Sequence, residues 1–359
     1  MADYFPEIES GLLYMSDKQL KEKFQDLLRN QDSKGLTDFL MTYGILRYDL
    51  IYTEILINFS TLLQTLFPDS IAILIKYLTL GPKGQDTLVG EFDAIIGLCN
   101  PEAVKEFAYA LAEFDTGKRK IIENYDVLIE KCGDLFLDDM VLLFASYEVC
   151  YERLIEDYPK LFERLRPDTV AKFTAAFSKI PLGKAKILKD YNALLKKCSD
   201  IDKIDLAKVF ASFPEGQVKI LLDYQKIKEI CRKNIRIGQF VQAFSSFKAG
   251  QNQLVADYPE LLGSYQFPGK TQEKKWKMAL DIMLFIKGYA NFEEGLAFLL
   301  RDYDTLLAIV QRAQQDSAHI GNPVKDFHGI LADFGEGRVF LIRRGIPLPE
   351  QEGPDHDRE

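Results

Sequence analysis

Apolar residues along this chain recur at helical spacing after a repeated anchor. Four, five, eight, eleven, twelve and fifteen positions after Gly117 stand Ile121, Ile122, Tyr125, Leu128, Ile129 and Cys132, a single stripe at period 3.6. Before each anchor a first helix of about a dozen residues ends near an aromatic, as in Ile204 to Phe213. The anchors are Ser16, Ile51, Gly84, Gly117, Cys150, Gly183, Gly216, Gly250, Gly295 and Gly337, and between Ile51 and Gly216 they recur every 33 residues. Such self-similarity marks stacked helical units. The pattern therefore predicts an all-α chain, a right-handed α-solenoid of about eight to ten two- or three-helix repeats with divergent terminal caps.

The columns of the repeat carry specific expectations. A small-residue column, Ala112, Ala145, Ser178, Ala211, Ser245, Ala290 and Ala332, leaves room for a neighbouring helix. The anchor glycine is expected in a tight turn, where a positive φ costs it nothing. In the second helix an acid or amide precedes an aromatic, as in Asn124-Tyr125-Asp126, Asp157-Tyr158-Pro159, Asp190-Tyr191-Asn192 and Asp257-Tyr258-Pro259. Pro159 and Pro259 disfavour helical geometry at the tyrosine before them, so a kink or break is expected there. That would give each unit one long and two short helices. The tyrosine itself falls in the apolar stripe and reads as core with its hydroxyl near the surface.

Departures from the period set the domain organisation. Residues 1–50 form the N-terminal cap and first helices, 51–262 the regular repeats, and 263–345 C-terminal repeats with insertions around Gly263 to Lys277 and Gln315 to Pro323. A tail, 346–359, is expected to be disordered. Outermost units diverge because one of their faces meets water.

The pairs Gly84-Gln85, Gly117-Lys118, Gly183-Lys184, Gly216-Gln217 and Gly250-Gln251, each after a small residue and a two-residue turn and followed by an apolar helix, resemble the repeats of TAL-effector-like proteins. That resemblance implies a helical superhelix whose turn dipeptides touch DNA bases and whose Lys or Gln sits by phosphate. The dipeptides here, such as Pro181-Leu182 and Pro214-Glu215, differ from the base-reading set. Leu254-Val255-Ala256-Asp257-Tyr258-Pro259-Glu260-Leu261-Leu262 resembles the proline-anchored helix of mitochondrial transcription termination factor repeats. Both comparisons cover roughly 80–260 and bear on architecture, since fold analogy does not carry function.

Charge adds a gradient to this picture. The formal net charge is −9, yet residues 179–236 hold 14 Lys or Arg against 7 Asp or Glu, while residues 1–80 hold 7 against 11. Lys184, Lys186, Lys189, Lys196, Lys197, Lys203, Lys208, Lys219, Lys226, Lys228, Arg232, Lys233 and Arg236 form either a phosphate-tracking or acid-binding stripe or a solvated face with stems over apolar surface. Lys274-Lys275-Trp276-Lys277 surrounds the single tryptophan with cations, either a partner hot spot or the packed start of a helix. The candidate partner-binding residues are thus Lys184, Lys186, Gln217, Lys219, Gln251, Lys274, Lys275 and Trp276.

Catalytic chemistry finds little to work with. His319, His328 and His356 lack a neighbouring ligand at zinc spacing. Cys99, Cys132, Cys198 and Cys231 all fall 15 residues after their anchor and read as small core residues in a reducing compartment. Cys150, at an anchor position, is expected to be exposed. Neither a transmembrane stretch nor a basic secretory leader is visible, so the expectation is a cytoplasmic protein, with non-classical export left open. No cofactor, no metal and no enzymatic activity are expected. The reading is a scaffold holding a macromolecule, chiefly a protein, on its concave face, the alternative being nucleic acid along the basic repeats 179–236.

Overall fold

The structure, a computed structural model, describes residues 15–43, 47–265, 272–315 and 322–348. Among these residues the chain is helical, without a strand, and it divides into two compact units, Met1–Arg166 and Pro167–Glu359. The division falls inside the stretch of regular period. Most of the expected tail and parts of both insertions lie outside the described residues.

In the first unit the helices are α1 Asp17–Arg29, α2 Ser33–Tyr43, α3 Tyr48–Ile57, α4 Phe59–Thr65, α5 Pro68–Thr79, α6 Pro82–Gly90, α7 Phe92–Leu98, α8 Pro101–Leu111, α9 Asp115–Glu123, α10 Tyr125–Lys131, α11 Leu137–Phe144 and α12 Tyr151–Arg164. In the second they are α13 Val170–Ser178, α14 Pro181–Lys189, α15 Tyr191–Lys197, α16 Lys203–Ala211, α17 Pro214–Leu222, α18 Tyr224–Asn234, α19 Ile237–Ser245, α20 Lys248–Gly263, α21 Gln272–Ala290, α22 Glu293–Arg301, α23 Tyr303–Gln315, α24 Pro323–Ala332 and α25 Gly335–Arg343.

Packing within each unit follows the sequence period. In the first, α2 lies on α5, α5 on α8 and α8 on α11, while α3 lies on α6 and α6 on α9. In the second, α13, α16, α19, α21 and α24 form one such row, and α14, α17, α20, α22 and α25 another. The rows are sealed by the expected stripe. Ile121, Tyr125 and Leu128, for example, are at most 1% exposed, and so are Phe210, Ile220 and Ile227.

The anchor glycines work differently from expectation. Gly84, Gly117, Gly183, Gly216, Gly250 and Gly295 each lie inside the first turn of a helix, and the described glycines with positive φ are Gly133 and Gly345 instead. What demands glycine is proximity. A Cβ on Gly216 would stand 2.2 Å from the carbonyl oxygen of Phe210, and one on Gly250 would stand 2.2 Å from that of Phe244. The second helix begins pressed against the last turn of the first, and no other residue fits. Where Cys150 replaces glycine, the segment Glu148–Cys150 opens as a 3₁₀ turn and the α-helix starts at Tyr151. The cysteine is 3% exposed, a correction to its expected exposure.

The break in the second helix is also set differently. It occurs at Glu91, Asn124, Asp190, Asp223 and Asp302, with φ between −95° and −107° and ψ between 11° and 27°. Each residue ends one helix and begins the next. The proline-bearing helices α12 and α20, by contrast, run on through Pro159 and Pro259. Proline there matches the second position of the new helix in the broken units, where an N–H has no acceptor four residues back, so its missing donor costs no bond.

Tyrosine hydroxyls lie inside, not near the surface. Those of Tyr125, Tyr191 and Tyr224 are buried, and burial together with the carboxylates of Asp157, Asp223 and Asp257 pushes these phenols far up. In each case the acid belongs to the Asp-Tyr pair of the following repeat. Each hydroxyl is thus buried near the acid of the next repeat within the unit.

A candidate binding cleft in the second unit

The residues singled out in the sequence divide into structural and exposed groups. Gln217 and Gln251 are structural. Their side-chain amides donate to the carbonyl oxygens of Ala211 (3.0 Å) and Ser245 (2.9 Å), six residues back, satisfying open acceptors at the end of the preceding helix. Gln85 does the same to Thr79 and Arg338 to Ala332. Where glutamine holds it, the place that the TAL-like pattern assigns to phosphate contact is here a helix cap.

The basic stripe is partly consumed by ion pairs. Lys228 is buried and reaches both Asp257 and Glu260 at 2.8 Å. Arg232 pairs with Glu260, Lys233 with Glu229, Lys203 with Asp200, Lys208 with Asp205, and Arg236 with Asp205. Lys184 is exposed on α14 with its ammonium 5.8 Å from the centre of the Phe213 ring; Lys186 on the same helix and Lys219 on α17 are half-buried. Lys274 and Lys275 belong to α21, but their side chains lie outside the described residues. Trp276, near the start of α21, is 44% exposed, so it does not merely pack.

Trp276 stands one turn before a cleft of about 230 Å³ lined by Ile201, Asn234, Ile235, Arg236, Gln239, Lys277, Leu280, Asp281 and Leu284. Local chain geometry creates it. At the end of α18, Ile235 takes the left-handed conformation (φ 56°, ψ 55°), and the Arg236 N–H returns to the Cys231 carbonyl at 2.9 Å. A β-branched residue in that region is strained by roughly 1–2 kcal/mol. The turn it makes delivers α19 directly against α21.

Two glycines let those helices approach. A Cβ on Gly238 would stand 2.0 Å from the Asp281 carbonyl oxygen, and one on Gly288 would stand 2.7 Å from the Val241 side chain. At the floor, the Asp281 carboxylate accepts from the Gly238 N–H (2.9 Å) and from the Tyr265 hydroxyl (2.7 Å). Burial pushes its pKa up to about 6, against the downward pull of these hydrogen bonds. Arg236 is held at the mouth by the Ile201 carbonyl at 3.0 Å. Neither Gly238 nor Asp281 belongs to an anchor column. The available signal was a lone acid in the apolar run Met278 to Phe285.

Chemically the cleft offers the aliphatic side chains of Ile201, Ile235, Leu280 and Leu284, the amides of Asn234 and Gln239, and the charged groups of Arg236, Lys277 and Asp281. Elsewhere, burial pushes the thiols of Cys99, Cys132, Cys198 and Cys231 up to about 12. Among the described residues no group of three or more His, Cys, Asp and Glu could hold a metal ion, and no helix is long and apolar enough to cross a membrane. Comparison of the chain with protein-family models, curated proteins and solved structures finds no match in any of the three.

Proposed function

We propose that this protein is a non-enzymatic helical-repeat scaffold, a right-handed α-solenoid of the kind its period implies, that holds a protein partner at the cleft between Arg236 and Asp281. Support for the array comes from the row-on-row packing inside each unit. The observation that carries the partner reading is Trp276, 44% exposed, one helical turn before Leu280, which is 42% exposed and lines the cleft. Exposed aromatic and aliphatic anchors next to a pocket and an arginine are the composition of interface hot spots. The partner segment that fits brings one apolar anchor to Trp276 and Leu280. Buried free cysteines support a reducing compartment such as the cytoplasm.

Trp276 is the chain's only tryptophan, so its own emission reports the event. The expected result is a blue shift when a stoichiometric partner binds, together with loss of that partner in Trp276→Ala and Leu280→Ala variants. Unchanged capture by both variants would remove the cleft from the reading.

Nucleic acid along residues 179–236 is the second reading, and the exposed Lys184 and Lys189 on α14 are what favour it. The ion pairs of Lys203, Lys208, Lys228, Arg232, Lys233 and Arg236 weigh on the other side, because each neutralised cation releases no counterion. Binding of DNA or RNA that falls steeply with added salt would favour it.

A further inference from the structure

A second surface of the same unit lies outside the cleft. On α17, Val218 and Leu222 are 60% and 81% exposed, and on the adjoining α14 Leu182 is 66% exposed. Val218 and Leu222 are four residues apart and share one helix face. Their equivalents one repeat earlier, Ala185 and Lys189, are also exposed, so the outer surfaces of α14 and α17 form one patch. Lys189 belongs to it and Lys219 adjoins it, with Glu215 the one exposed acid on the two helices.

From this we propose that the α14–α17 face docks on an anionic membrane surface. Three aliphatic side chains standing this far out of the surface project rather than line a groove. A rigid protein partner would need a matching pocket for each, whereas the boundary between lipid headgroups and acyl chains deforms around them. The charge matches as well. Lysines with long stems place their ammonium groups among anionic headgroups while the aliphatic residues enter below. The surface is distinct from the Trp276 cleft, so this inference stands or falls independently of the protein-partner reading.

The test is co-sedimentation of the full chain with vesicles of phosphatidylcholine alone and of phosphatidylcholine mixed with phosphatidylserine. Binding is expected only to the mixed vesicles, weakened on the order of tenfold or more by Val218→Asp with Leu222→Asp, and likewise by Lys189→Glu with Lys219→Glu. All four side chains being exposed or half-exposed, circular dichroism should show the variants folded. Trp276→Ala should bind vesicles like the parent chain. Absence of binding to mixed vesicles, equal binding to phosphatidylcholine alone, or binding indifferent to both double variants would each overturn the proposal. Self-association or a protein complex lost in the Leu222 variant, without vesicle binding, would overturn it in favour of a protein occupant.

Discussion

The Tyr265 hydroxyl donates to the Asp281 carboxylate at 2.7 Å, inside a unit whose other described tyrosine–acid pairings run from one repeat to the next. Tyr265 instead lies within the first insertion, and Asp281, which also accepts from the Gly238 N–H, links it to the start of α19. With a pKa raised to about 6 by burial, Asp281 stabilises the fold fully below the ordinary carboxylate value. That contribution disappears as pH rises through about 6. The stability of the parent chain relative to Asp281→Asn is therefore expected to fall between pH 4 and pH 7, at no more than about 1.4 kcal/mol per pH unit. Urea titrations at several pH values check this, and a difference that is flat or grows with pH would refute it.

Glycine-to-alanine exchanges should have opposite signs at two helical sites. Gly329 in α24 has nothing within 4 Å of an added Cβ, so Gly329→Ala is expected to stabilise by about 0.5–1 kcal/mol. Gly216→Ala must instead push α17 away from Phe210 and is expected to cost about 2 kcal/mol or more. Equal effects in thermal melts would show that the close approach is not what selects glycine.

Ile235→Asn should hold or raise the melting temperature, by up to about 1 kcal/mol in stability, because asparagine tolerates the left-handed region that strains isoleucine. A loss comparable to removing a buried aliphatic would mean that Ile235 is held by packing rather than merely tolerated.

Gln217→Ala removes the cap on the Ala211 carbonyl and is expected to cost about 1 kcal/mol. Partner and vesicle binding should not change. Reduced binding with unaltered stability would return Gln217 to the surface role that the TAL-like resemblance suggested.

Much of the secondary structure was legible without coordinates. The stripe from Ile121 to Cys132 and its copies specified amphipathic helices because residues at 3.6 spacing must share a face, and the inward cysteine column followed from the same register. The glycine column was visible, but its cause was not. A string of residues shows that glycine recurs at the Gly216 position of the pattern, yet only the 2.2 Å distance to the Phe210 carbonyl distinguishes crowding from a positive φ. The prolines misled for a related reason. The effect of Pro159 depends on whether its absent N–H would have had an acceptor, a question of hydrogen-bond register.

The candidate cleft was legible only at one edge. Trp276 stood out as a lone tryptophan among lysines, but Asp281 lies 45 residues from Arg236 and Ile235 carries no turn signal. Gln217 and Lys228 looked like surface groups until their partners at Ala211 and Asp257 were in place.

By itself the sequence determined the all-helical character, the repeat and the inward face of each helix, since these depend on periodicity along a local chain. Tertiary structure decided which lysines keep their charge available, why the anchors are glycine, and where a concave site forms. Those properties depend on groups brought together across repeats, and such distances are not properties of any one segment.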